Sequence, residues 1–278
     1  MFLEEFSLNA TDVFAQETFR VQDGPTLPYA RSMIDGGASL FLASNLFPAT
    51  SLRRRHHLER AELMVQTKGP TALYSGESLD QFDQDVFLAC LLGEIRGQRP
   101  ARRSMRELLR TVGRRHTPEQ LARLEASLFR LGSARIEFGD SRFGCSIQLV
   151  ESVLVDRVYG AFRAQASPEV KAAFRDVGDI EALARVRFNL GVRPLTKWLA
   201  GLMFVLGGQS CLLDLERLRI LCGREKIPPR VFTGQALPAL STLVDMGYIH
   251  RVGQFEQGRV TVESRPGHSR ANECQLVW

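Results

Sequence analysis

The chain has 278 residues with 36 basic and 31 acidic side chains, a formal charge of +5, and is 44% hydrophobic against 24% charged. This is a globular composition, long enough for two domains or one large one, and it excludes fibrous and wholly disordered classes. The most apolar stretch, 198–206, is nine residues, whereas a spanning helix needs about 20.

Five scattered cysteines (Cys90, Cys145, Cys211, Cys222, Cys274) form no CxxC pair. They predict a reducing compartment, with neither a disulfide frame nor a cysteine-built metal site. The acidic N-terminus lacks the basic start of a signal peptide, so a cytoplasmic protein is expected. Of the 36 basic residues, 32 are arginine. Residues 96–135 hold eleven arginines against Glu107, Glu119 and Glu125, a net of +8. Residues 74–95 hold Glu77, Asp80, Asp83, Asp85 and Glu94 with no basic partner, a net of −5. Charge segregated in this way builds a local field that the global +5 hides.

In chain order, residues 1–57 show turn punctuation without a sustained period and read as a flexible arm ending in Arg53-Arg54-Arg55-His56-His57. Short strands are expected over 60–67 and 71–74. Residues 79–95, apolar nearly all round, predict a core helix. Ser78 is its candidate N-cap with Gln81 three residues on, and Asp80, Asp83 and Asp85 suit the positive end of the dipole.

A second helix buries Met105, Leu108, Leu109 and Val112 and turns Arg103, Arg106 and Arg110 outward. Thr117 and Pro118 open a third. It buries Leu121, Leu124, Leu128 and Leu131, leaves Gln120, Arg123, Ser127 and Arg130 on an exposed face, and ends at Gly132. ARIEFG and CSIQLV then alternate as a hairpin around Asp140-Ser141-Arg142. Helix, helix, helix and hairpin is the layout of a winged helix.

The plan recurs. After an Ala-, Pro- and charge-rich linker (160–180), VRPLTKWLAGLMFVL is an apolar helix and DLERLRILCG a short one ended by Gly223. A third helix from about Pro229 to Met246 buries Phe232, Ala236, Leu240 and Leu243, and a hairpin turns at 254–258. The expected architecture is α+β and mostly helical: an arm (1–57), a first winged helix (58–158), a linker and helix (159–185), a second winged helix (186–265) and a tail (266–278).

The motifs YSGESLDQFDQDVFL (74–88), SLFRLGSARIEF (127–138), LTKWL (195–199), LRILCG (218–223) and LVDMGYI (243–249) resemble, in order, those of the TrfA-type plasmid replication initiators. The resemblance spans about residues 60–263. It implies a dual winged-helix protein that binds repeated origin sites (iterons), with the first winged helix, through 60–74 and 134–150, mediating a monomer–dimer equilibrium. One departure is Gly234 and Pro238 inside the third helix of the second copy. An interior proline removes a helical hydrogen bond, so a kink near Gly234 or a later start is expected.

A helix-turn-helix places the N-terminus of its recognition helix in the major groove while nearby cations fix phosphates. The expected DNA contacts are Arg114, Arg115, Arg123, Ser127 and Arg130 in the first domain and Arg224, Lys226, Arg230, Thr233 and Gln235 in the second. Arg142 and Arg259 sit at the hairpin tips. Arg230 and Gln235 have the chemistry to read guanine and adenine; the plainer reading of each is a solvated helix-face residue.

Catalysis is not expected. His56 and His57 are adjacent, the other histidines are isolated, and there is no GxxxxGK[ST] phosphate loop. No cofactor and no metal are expected. Ala38-Ser39-Leu40-Phe41 resembles the end of a sliding-clamp-binding peptide; the plainer reading is an anchor packing the arm onto the first domain. The reading is therefore a cytoplasmic initiator of plasmid replication that binds origin double-stranded DNA, opens adjacent AT-rich DNA and recruits the host initiator and replicative helicase. The alternatives are a winged-helix transcription regulator and a winged-helix protein-interaction module.

Overall fold

The computed structural model describes residues 37–52, 54–65, 71–95, 102–139, 144–174, 180–207 and 210–264. Arg142 and both termini lie outside them. Among the described residues the protein is α+β, with more helix than strand and three antiparallel sheets.

The N-terminal segment that composition marks as an arm enters the core. Helix α1 (Gly37–Leu42) and the residues after it bury Leu40, Phe41, Leu42, Leu46 and Phe47. Phe41 and Phe47 pack on Phe87, and Phe174 completes the cluster at centroid separations of 5.6–6.2 Å. Each such burial is worth about 1.5–3 kcal/mol, which outweighs the punctuation that made the segment look loose. The Leu40-Phe41 pair is thus core, as the anchor reading has it, and is not available as a clamp-binding peptide.

Strands β1 (His57–Leu63) and β2 (Thr71–Glu77) lead to the central helix α2 (Gln81–Ile95), whose first eleven residues are all buried. Its cap is not Ser78. Asp80 Oδ1 accepts from the N–H groups of Phe82 and Asp83, and Asp83 Oδ2 accepts from the N–H of Asp80, a reciprocal capping box. Gln81 and Gln84 donate to the Phe47 and Phe41 carbonyls at 2.6 and 2.7 Å, satisfying backbone that the aromatic cluster buries.

The next elements are β3 (Arg103–Ser104), α3 (Met105–Thr111) and α4 (Pro118–Ser133), the last capped by Thr117 with Pro118 at its first position. Gly132 does not end α4, which runs one residue further. Strands β4 (Arg135–Gly139) and β5 (Gly144–Gln148) do form a hairpin, but it joins β1 and β2 in a sheet of order β1-β2-β4-β5. A further hairpin, β6 (Val150–Asp156) and β7 (Ala161–Ala166), pairs instead with β3 in the order β3-β7-β6. Strand β7 lies in the stretch that reads as linker.

Helices α5 (Pro168–Ala173) and α6 (Ile180–Asn189) connect to α7 (Pro194–Val205), then β8 (Cys211–Asp214), α8 (Leu215–Leu221), α9 (Pro229–Asp245), β9 (Ile249–Glu256) and β10 (Arg259–Ser264). The last sheet has the order β8-β10-β9. Helix α9 starts at Pro229 and runs through Pro238, so a later start at Gly234 does not occur. Gly201 seats α7 on α1, since a Cβ there would collide with the Leu42 carbonyl oxygen.

Two units therefore share one order: long helix, strand, short helix, second helix, two strands, with the middle sheet position held by the last strand. The likeness reaches single bonds. Ser104 and Asp214, ending β3 and β8, cap α3 and α8. Met105 N–H donates to Gly160 and Leu215 N–H to Gly258, each a glycine in its hairpin turn, at 2.9 and 3.0 Å. Gly113 and Gly223, both with φ near +70°, close the short helices, a conformation L side chains avoid. The next residue is an arginine in each case, and the Arg114 and Arg224 N–H groups bond back to Leu109 and Arg219.

Candidate nucleic-acid interface

In the first unit most of the arginine excess faces inward. Asp80 meets Arg55 at 2.8 Å and Arg123 at 3.7 Å, while Asp83 meets Arg55 and Arg130, each at 2.8 Å, and accepts from Ser127 Oγ at 2.7 Å. Ser127 is fully buried and Arg130 is 8% exposed. The expected exposed face of α4 is thus corrected at Ser127 and Arg130: it packs against the acidic start of α2, because an arginine lost from water recovers that cost only beside a carboxylate. Arg114 and Arg123 both cover the Phe82 ring, at 5.5 and 4.4 Å. Burial, then the neighbouring Arg123, depresses Arg114. Burial, then Asp83, raises the Asp80 carboxyl. Arg106, Arg110 and Arg115 remain exposed on and after α3.

A second buried network lies on the same helix. Asp85 accepts from Arg187 of α6 at 2.9 Å and from Lys197 of α7, and Arg187 also bonds Gln81 Oε1 at 3.0 Å. Burial depresses both cations, with Asp85 opposing the shift.

In the second unit the corresponding face is open. Lys226, Arg230, Val231, Gly234 and Gln235 are exposed at and beyond the start of α9, with Thr233 half-buried and Phe232 turned into the core. Arg224 is half-buried; its Nε donates to the Ala49 carbonyl at 2.7 Å and its Nη1 to Gln235 Oε1 at 2.5 Å. Burial depresses it and no carboxylate opposes the shift. Arg259 is exposed beside the β9–β10 turn, where Gln257 and Gly258 both have positive φ, the geometry of a two-residue hairpin turn. Arg251 is exposed on the same hairpin.

The structure thus gathers Lys226, Arg230, Thr233 and Gln235 at one helix end. It disperses Arg123, Ser127 and Arg130 into internal pairing. Sequence reasoning missed Arg187 and Lys197, whose only local signal was a cation within an apolar helix. It also missed Arg193, the N-cap of α7, which makes no side-chain capping bond. The signal there was an Arg-Pro pair where Ser, Thr or Asp is usual.

Comparison with protein families and with curated proteins gives no match. Two crystal structures of domains 2 and 3 of RctB, one a selenomethionine derivative, are similar in fold. Each has a TM-score of 0.58 at 11% identity, covering 83% of this chain and 98% of that chain. No helix among the described residues is long and apolar enough to cross a membrane.

Proposed function

We propose that the chain is a DNA-replication initiator that grips double-stranded DNA with two tandem winged helices. The observation that carries this reading is the fold shared with nearly the whole of the RctB two-domain structure, RctB being itself a replication initiator. The recurring helix–strand–helix–helix–hairpin order, with the same sheet order in both units, supports winged helices as the repeated module. The open start of α9, with Arg230 and Gln235 near Thr233 and Lys226, suits reading of base edges in a major groove, while Arg259 on the hairpin suits a phosphate.

In this reading the origin carries direct repeats, the protein opens neighbouring AT-rich DNA, and it hands the site to the host initiator and replicative helicase. Self-association through the first unit sets the supply of active monomer, as in the plasmid initiators the sequence resembles. The test is a gel-shift and footprint series on DNA flanking the chain's own gene. Protection of tandem direct repeats is expected. Protection of one palindrome, or no binding at any salt, would overturn the reading.

A further inference from the structure

The starts of the two long helices are built in the same place and with opposite charge. In α2 the N-cap and third positions are Asp80 and Asp83, and their carboxylates take up the Arg55, Arg123 and Arg130 guanidinium groups. In α7 those positions are Arg193 and Thr196. Between the start of α7 and the side of α9 lies a pocket of about 280 Å³ lined by Arg193, Leu195, Thr196, Arg224, Gln235 and Thr242, among others.

The polar groups at the mouth of this pocket are donors that lack an anionic acceptor. The α7 N-terminus has no side-chain cap, so the Leu195 and Thr196 N–H groups carry the positive end of the dipole unanswered. Thr196 is only 5% exposed, lines the pocket, and its side chain makes no hydrogen bond among the described residues. Arg224 is desolvated without a carboxylate partner, and its two bonds go to neutral oxygens. Where the first unit supplies its own anions, the second supplies none.

We propose that this pocket is an oxyanion site that holds a phosphate of the DNA backbone beside the groove entered by α9. The proposal rests on the DNA-binding reading above. The Thr196 hydroxyl, the Leu195 and Thr196 N–H groups and the Arg193 guanidinium hold the phosphate oxygens, and Arg224 supplies charge from behind. Seating α7 on the backbone in this way fixes the angle at which α9 enters the groove, the positioning task that phosphate contacts perform.

The test compares the full chain with Arg193→Gln, and with Arg193→Gln/Thr196→Val, on random-sequence duplex DNA by fluorescence anisotropy over a salt series. Loss of one phosphate contact should lower the magnitude of the slope of log K against log salt by about 0.9, with the thermal midpoint unchanged in the single variant. An unchanged slope, with wild type binding steeply, overturns the site and leaves the function standing. A parallel titration with inorganic phosphate follows the Leu195 and Thr196 amide resonances. Saturable shifts that vanish in Arg193→Gln support the site. If wild type binds no DNA, the functional reading falls. Phosphate-dependent shifts would then assign the pocket to free phosphate and overturn the DNA source, and their absence would overturn the site altogether.

Discussion

Arg130 of the first unit and Arg230 of the second are equivalent in the sequence, each a basic residue on the recognition helix of a helix-turn-helix. One is 8% exposed and pinned to Asp83, while the other stands free at a helix start. The difference comes from the preceding long helix, acidic at its first turn in α2 and without a carboxylate there in α7. Formal charge is therefore a poor guide to charge on offer. The +8 block is largely consumed inside the protein, and the sparser cations of the second unit are the ones left to meet a partner.

The contrast is breakable. Removing the acidic side should do most damage: Asp83→Ala strands Arg55, Arg130 and Ser127 without their shared acceptor and should cost about 3–5 kcal/mol in a urea unfolding curve, while DNA affinity of the remaining folded fraction stays the same. Arg230→Ala should do the reverse. Loss of a bidentate base contact should weaken sequence-specific binding by about 1–3 kcal/mol, with stability within about 0.5 kcal/mol of wild type. Full retention of affinity would remove Arg230 from the interface.

Arg193→Asp sharpens the comparison by giving α7 the cap that α2 has. It should stabilise the fold by about 1 kcal/mol and at the same time weaken DNA binding by charge reversal. Binding that improves would show that the two helix starts do not correspond. Gly234→Ala should have the smallest effect. Gly234 is exposed, no atom lies within 4 Å of a Cβ placed there, and alanine should raise stability by about 0.5–1 kcal/mol, measured as a shift in the denaturation midpoint.

Local structure was largely legible. Thr117 and Pro118, the stripe Leu124, Leu128 and Leu131, and the glycines Gly223 and Gly247 follow from rules that act within a few residues, and the structure has them there. What failed was non-local. The 135–148 hairpin is correct as a pair, but nothing in its own residues says that it adds to β2 rather than flanking β3. Ser127 and Arg130 fall on a polar helical face, and polarity normally means water. Here it means a carboxylate brought from residue 83. The one readable warning was the adjacency of a −5 and a +8 block, which suits mutual neutralisation as well as an outward field. In α9, Pro238 implied a break, yet the helix continues, and the Thr242 hydroxyl bonds the Pro238 carbonyl.

Helix α2 also bears on how the chain matures during synthesis. Its Asp85 finds Arg187 and Lys197 only 102 and 112 residues downstream. Until that length has left the ribosome, a helix apolar on nearly every side carries a carboxylate with no cation to answer it. The first unit cannot settle before the second has begun to emerge, and a nascent chain released early presents a sticky, charged intermediate. A truncation stopping short of residue 187 should accumulate as aggregate. The two DNA-gripping halves are thus made as one object, born together or not at all.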